Sequence, residues 1–295
     1  MVAMSAIVAL ACGGQAKVQT PAASPATRTV TDDLGRTVTI PARVTRVISL
    51  APNLTEDVFA VGAGDRLVGV TTYCNFPEQA KTISKVGDTM TPNIETIVAL
   101  KPELVLVSTA SQIEAFMKTL ADNNVAVYVT KPESLDGVLR NLTQIGDLLG
   151  ETEKASALVG DLKRRTADVE AKTKGEKPSK VFVQFSREPI FTIGKQGFLN
   201  GLIESAGGVS ATANIETAFP NLSKETALTM DPDVIILSDS EDNREVSDAF
   251  RSSPAVRNKR VVRINPDILS RPGPRLVDAL EEIARDLHPE KFERK

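Results

Sequence analysis

EKASALVGDLKRRTADVEAKTK, from Glu153 to Lys174, decides the fold. Ala155, Leu158, Val159, Leu162, Thr166 and Val169 recur at three-and-four spacing, which gathers them on one face of a helix and leaves charge on the other. Thr152 reads as its N-cap with Glu153 opening the first turn, and Gly175 followed by Pro178 as its stop. A helix of 22 residues is roughly 33 Å long, about the width of a small domain. It lies near the middle of the chain with strand and helix alternating on either side, so the expected architecture is two lobes joined by a rigid helical strut.

Before it, Thr29–Thr31 and Thr37–Ile40 flank Asp33-Leu34-Gly35 as a hairpin. Strands are expected at Val44–Leu50, Leu67–Val70, Leu104–Val107 and Val125–Val129. Helices are expected from the Asn53-Leu54-Thr55-Glu56 capping box, at Ile94–Leu100, at Gln112–Asn123 and at Leu135–Leu149. After it, Val181–Phe185, Val234–Leu237 and Arg260–Ile264 read as strands, and Gly197–Ala206, Ser223–Met230, Glu245–Arg251 and Pro274–Leu287 as helices. Strand alternating with helix implies mostly parallel sheets, and the fold class is α/β. The expected divisions are a leader at 1–12, a flexible tether at 13–28, an N-terminal lobe at 29–150, the connecting helix at 151–177 and a C-terminal lobe at 178–295.

The lobes share a gapless echo. Glu95-Thr-Ile-Val-Ala-Leu-Lys-Pro102-Glu-Leu-Val-Leu-Val-Ser108 aligns on Glu225-Thr-Ala-Leu-Thr-Met-Asp-Pro232-Asp-Val-Ile-Ile-Leu-Ser238, and Pro-Asn closely precedes each copy. Helix–Pro–strand junctions resemble one another widely, but identity in register at Glu, Thr, Pro and Ser favours pseudo-symmetry. Glu95 and Glu225 then occupy equivalent helix starts. A carboxylate there is favoured by the helix dipole by about 0.3–1 kcal/mol; the sharper reading is a matched pair of docking points, one per lobe.

Composition narrows the classes. The 295 residues carry a net charge of -3 with a pI near 5.5, which gives no basic footprint for nucleic acid. Ala3 to Ala11 is a short apolar run before Cys12-Gly13-Gly14, as in a bacterial lipoprotein signal whose cysteine is acylated; the competing reading is a leader whose cysteine does nothing. The Ala, Thr, Pro and Ser that follow suit a tether holding a body off a membrane. Cys74 is then a lone thiol, better read as a small buried hydrophobe than as a metal ligand.

An enzyme fares poorly. His288, the only histidine, lies at an expected frayed C-terminus, and no nucleophile elbow, P-loop or zincin motif occurs. Gly62-Ala-Gly64 follows a helix and precedes a strand, the reverse of a dinucleotide fingerprint.

The segments Arg46–Glu56, Leu67–Pro77, Pro92–Pro102, Phe219–Glu225 and Arg271–Arg275 resemble those of the periplasmic cobalamin-binding proteins of ABC importers, within the helical-backbone group that also binds ferric siderophores and haem. The resemblance runs from about Thr29 to Glu290. It implies a ligand cleft between two lobes that move little, no catalysis and no cofactor, and a monomer that carries a corrinoid such as cobalamin to a membrane permease through Glu95 and Glu225. A siderophore or haem binder of the same fold is the alternative, and a surface interaction lipoprotein a lower one. The implied cleft residues are Pro52, Tyr73, Thr89, Phe191, Phe219 and Asp267; at Thr89 other members can carry Trp, and this chain has none. For the two Phe residues core packing is the competing role. Arg187, Arg271 and Arg275 are candidates to meet an anionic ligand, with a structural role as the alternative for Arg275.

Overall fold

In the computed structural model, which describes residues 26–109, 114–123 and 125–292, the chain opens on an antiparallel hairpin of β1 (Thr27–Thr31) and β2 (Thr37–Pro41). Gly35 takes φ 74° in its turn, where a side chain would be strained. Cys12 and most of the tether lie outside the described residues.

The first lobe is built from β3 (Val47–Ser49), α1 (Pro52–Ala60), β4 (Leu67–Val70), α2 (Ile94–Ala99), β5 (Leu104–Ser108), α3 (Glu114–Asp122), β6 (Ala126–Thr130) and α4 (Leu135–Leu149). Its four strands run parallel in the order β4-β3-β5-β6. Alternation sorts β5 between two helical layers: Leu104 and Leu106 enter one core, Val105 and Val107 the other. Every residue of β5 is buried, as a parallel strand covered on both faces requires.

The long helix α5 spans Thr152–Thr173, close to the expected limits. Its cap differs: Glu151 is the N-cap residue with no side-chain capping bond, and the Thr152 hydroxyl instead donates to Asp147 Oδ1 at 2.8 Å. Gly150, with φ 68°, makes the turn from α4, and Gly175, with φ 84°, follows the helix end.

The second lobe follows with β7 (Ser179–Gln184), β8 (Ile190–Phe191), α6 (Leu199–Ser205), β9 (Gly208–Ser210), β10 (Asn221–Leu222), α7 (Lys224–Leu228), β11 (Val234–Ser238), α8 (Pro254–Arg257), β12 (Val261–Ile264), α9 (Pro266–Ser270) and α10 (Leu276–Leu287). Its parallel sheet has the order β12-β11-β7-β9. The helix expected at Glu245–Arg251 does not form. Gln184 Nε2 donates to the Glu245 carbonyl at 2.9 Å and Ser247 N–H donates to Gln184 Oε1 at 2.9 Å, bonds that hold this segment as a loop with one tight turn at Asp248–Phe250.

The echo extends to backbone detail. Lys101 and Asp231, each just before its Pro, take φ of 48° and 42°, conformations that cost a non-glycine residue free energy. Just beyond, Glu103 N–H donates to Arg46 O at 2.9 Å and Asp233 N–H to Lys180 O at 2.8 Å.

One core reaches both lobes through α5. It gathers Leu54, Leu104, Leu142 and Ile145 from the first lobe, Ala155, Val159, Leu162 and Val169 from α5, and Val181, Ile203, Leu280 and Ile283 from the second. A Cβ on Gly146 of α4 would overlap the Ala155 side chain, so the two helices meet at a contact only glycine permits. Farther along, Arg165 bonds Glu281 at 2.8 Å through both carboxylate oxygens and Asp278 at 2.6 Å, fixing α5 to α10. This bidentate pairing holds the guanidinium charged, above its ordinary range. The helix is a spine embedded in both lobes on one face and wet on the other.

Candidate ligand-binding site

In parallel α/β sheets ligands bind beyond the carboxyl ends of the strands. Of the expected cleft residues, Pro52 comes just after β3, Tyr73 after β4 and Asp267 after β12, at the end that topology favours; Phe185, directly after β7, shares that end. A hollow of about 660 Å³ lined by Arg36, Val38, Met117 and Val127 lies instead where β2 and β6 begin.

The sequence places Asn53 and Glu56 as a capping box, and the structure overturns this. The N-cap of α1 is Ala51, without a side-chain bond, and Pro52 fills the first helical position, where its missing N–H costs nothing. Nearly the whole helix is buried, from Asn53 to Val58, so its polar side chains need partners elsewhere. Asn53 Nδ2 donates to Pro272 O at 3.4 Å. Glu56, 2% exposed, accepts from Arg275 Nε at 2.8 Å, Arg275 Nη2 at 2.7 Å and Arg271 Nη1 at 3.0 Å.

The cluster continues outward. Arg271 pairs with Asp267 at 2.6 Å and donates to Asn75 Oδ1 at 2.7 Å, while Asn75 Nδ2 donates to Asp267 Oδ2 at 2.9 Å. Arg271 also reaches Tyr73 O at 3.4 Å. Arg275 stacks on Phe76 at 4.0 Å, a favourable cation–π geometry, and the Glu56 carboxylate holds its guanidinium charged, above the ordinary range. The turn after β4 and the segment after β12 are thereby joined across the two lobes.

Arg187, Arg271 and Arg275 are therefore not free cations awaiting an anionic ligand. Arg271 and Arg275 are taken by Glu56 and Asp267, and Arg187 by Glu245 at 2.7 Å and Asp248 at 3.0 Å. Asp267 has both carboxylate oxygens occupied.

Two of the three aromatic candidates, Phe191 and Phe219, form a separate group on the second lobe that does not include Tyr73. Phe191 and Phe219 have ring centroids 6.1 Å apart, and Phe185, which the sequence did not single out, lies 5.8 Å from Phe191 and 6.2 Å from Phe219. The antiparallel pairing of β8 with β10 brings them together, Phe191 opposite Asn221. Phe219 is 45% exposed, which core packing does not explain. On the first lobe Tyr73 is 59% exposed and Phe76 44%. Thr89 is half-buried in the loop where Asp88 accepts from the backbone of Met90 and Thr91, and joins neither group.

Asp57 lies fully buried beside Glu56, and its Oδ1 has no partner among the described residues. Burial, reinforced by the Glu56 charge, holds this carboxyl protonated well above the usual range. The folded state thus binds a proton that the unfolded state releases, and stability falls as pH rises above the ordinary Asp value of about 3.9. Asp57→Asn should flatten the wild-type decline in melting temperature between acid and neutral pH; parallel melting profiles would refute this assignment.

The two remaining polar candidates are both buried. Cys74 packs in the shared core, its sulfur 3.1 Å from Thr55 Oγ1 and 3.2 Å from Thr71 Oγ1. His288 is 4% exposed, not frayed, because the turn after α10 folds back and seats the ring against Gly207 O at 3.2 Å. Glu95 and Glu225 are exposed in the first turns of α2 and α7, whose N-caps are the side chains of Asn93 and Ser223. Hydrogen bonds from its own N–H and from Ser223 hold the Glu225 carboxyl below its usual range.

Residues 47–268 match the family model described as periplasmic binding protein. The uncharacterized ABC transporter substrate-binding lipoprotein YvrC of Bacillus subtilis is 32% identical over 98% of this chain and 96% of its own. The periplasmic vitamin B12 binding protein BtuF of Vibrio cholerae superposes with a TM-score of 0.75 at 29% identity, over 85% of this chain and 99% of that one. The haem-binding protein RhuT of Roseiflexus superposes with a TM-score of 0.75 at 23% identity, over 84% of this chain and 100% of its own, a likeness of fold alone.

Proposed function

The chain belongs to the periplasmic binding protein family, and from that premise we propose that its ligand is a corrinoid, cobalamin or a close relative. The family places it as the non-enzymatic, extracytoplasmic substrate-binding component of an ABC importer, which delivers a small molecule to a membrane permease. Anchorage through an acylated Cys12 is part of the proposal, supported by the lipoprotein relative.

The observation that carries the corrinoid reading is the Phe185–Phe191–Phe219 face together with the neutralised arginines. Aromatic faces suit a broad, partly apolar ring system. A ligand bearing carboxylates, as haem and many ferric chelates do, calls for unpaired guanidinium or ammonium groups, and Arg187, Arg271 and Arg275 supply none. A corrinoid such as cyanocobalamin has amide arms, and its single phosphodiester is balanced by the cobalt centre, so with no net charge it relies on apolar surface and hydrogen bonds more than on free cations. The vitamin B12 binding relative points the same way.

Calorimetry of the protein against cyanocobalamin, haem and a ferric hydroxamate tests this directly. Cyanocobalamin should bind one to one, and Phe219→Ala should weaken it by about 1–3 kcal/mol, roughly 5- to 150-fold. No heat or spectral change with any corrinoid, beside tight binding of a ferric chelate or haem, would transfer the assignment.

Glu95 and Glu225 are proposed as the permease contacts, one per lobe. Replacing both with Ala should leave cyanocobalamin affinity intact while slowing association with the permease and reducing its salt dependence, because exposed charges mainly steer encounter. Each pair contributes less than about 1 kcal/mol, so the double variant is the informative one. Unchanged permease association would leave both residues as helix-start carboxylates.

A further inference from the structure

We propose that Glu176, His288 and Glu290 form a binding site for a divalent transition metal of the zinc class, away from the ligand cleft. Two distant parts of the chain supply the three residues: Glu176 from the turn after α5, and His288 and Glu290 from the end of α10 and the short turn that follows it. Their ligand atoms all lie within 4.8 Å of one another. Zinc takes imidazole nitrogen and carboxylate oxygen at about 2.0–2.2 Å, which sets donors in one tetrahedral shell roughly 3.4 Å apart. His288 Nδ1 and Glu290 Oε1 stand 3.9 Å apart, and Glu290 is exposed, so binding requires the carboxylates to draw in on the metal.

The orientation of the imidazole is the second observation. The His288 side chain is only 5% exposed, and Nε2 faces the Gly207 carbonyl at 3.2 Å. That oxygen only accepts, so the neutral ring carries its proton on Nε2 and leaves a lone pair on Nδ1. Nδ1 has no hydrogen-bond partner among the described residues and faces Glu290 Oε1 at 3.9 Å. A histidine that donates one ring N–H to a backbone carbonyl and presents the other nitrogen to carboxylates is arranged as metal-ligating histidines are. Gly207 permits it: a Cβ there would come within 2.6 Å of His288 Nε2.

Lys291 is the competitor. Its ammonium lies 2.5 Å from Glu176 Oε1, so a cation already stands against one ligand. Two carboxylates against one ammonium leave a net negative charge, and removing the ammonium doubles it. Metal bound here would tie the end of the spine to the turn at Pro289–Lys291, stabilising the folded state by linkage.

The chain has one histidine, so its imidazole signals report on this site alone. Untagged full-length protein, stripped with chelator, is titrated with Zn²⁺ while the imidazole nitrogens are followed by NMR and the heat by calorimetry. We expect saturation at one equivalent, a large shift at Nδ1 with the proton kept on Nε2, and a raised melting temperature. Glu290→Gln, a change at an exposed side chain, should weaken binding at least tenfold, and Lys291→Gln should strengthen it severalfold. Imidazole signals unmoved by millimolar Zn²⁺, or equal affinity in the wild type and Glu290→Gln, would overturn the proposal.

Discussion

Glu56→Ala should destabilise the folded chain by about 3–5 kcal/mol, the range expected when one member of a buried ion cluster is removed and its partners are stranded. Glu56 has 1% of its side chain exposed, Arg271 12% and Arg275 17%, so water does not compensate the loss. Against a total stability of about 5–15 kcal/mol this is a large fraction. Glu56→Gln keeps the volume and an acceptor oxygen and should fall between the wild type and Ala. Exchanging the buried centre of the cluster together, Glu56→Leu with Arg271→Met and Arg275→Met, should cost less than Glu56→Ala alone, because the one carboxylate that loses its arginine, Asp267, is 29% exposed and keeps the Asn75 amide as a donor. Urea unfolding of the series measures all of this, and a Glu56→Ala loss below about 1 kcal/mol would show that the cluster is not a structural tie between the lobes.

The second large effect is at Gly160, in the middle of α5 with nothing near a Cβ built on it. Gly160→Pro removes a helical hydrogen bond and drives its ring against the Ser156 carbonyl, at a cost of about 3 kcal/mol or more. Gly160→Ala, at the same open position, should stabilise by roughly 0.5–1 kcal/mol through the unfolded chain. The pair separates damage to the spine from any side-chain effect. In small-angle scattering the wild type should keep its radius of gyration on loading, whereas Gly160→Pro, kinked at the spine, should change shape. A clear contraction of the wild type on ligand binding would mean hinge closure and would defeat the spine account.

Much of this architecture is legible without coordinates, for reasons specific to each element. The amphipathic period of α5 survives twenty-odd residues, and α4 runs from Leu135 to Leu149 as its pattern indicates, because long helices repeat their signal many times. The repeat around Pro102 and Pro232 is readable because two lobes solve one junction identically, down to the left-handed Lys101 and Asp231. Strands β8 and β10, two residues each, are too short to show a period, and with them the proximity of Phe185, Phe191 and Phe219 is hidden. Glu56 misleads for a different reason. Three-residue spacing from Asn53 looks like a cap on any helix, but α1 is buried along most of its length and Glu56 finds Arg275 219 positions away. Arg271 and Arg275, one helical turn apart in sequence, offer the available hint that two guanidinium groups share one carboxylate.

The core that α5 shares with both lobes has a kinetic consequence. A ligand displaces a conformational equilibrium only through its differential affinity for two states, and a frame that keeps its shape on loading, as expected above for the wild type, offers it no second state to select. Loaded and empty forms then present the same pair of carboxylates at the same span, and on the proposed docking the permease admits either. The empty protein becomes a competitive inhibitor of the loaded one, so import follows the loaded fraction of the pool and surplus unloaded protein slows uptake.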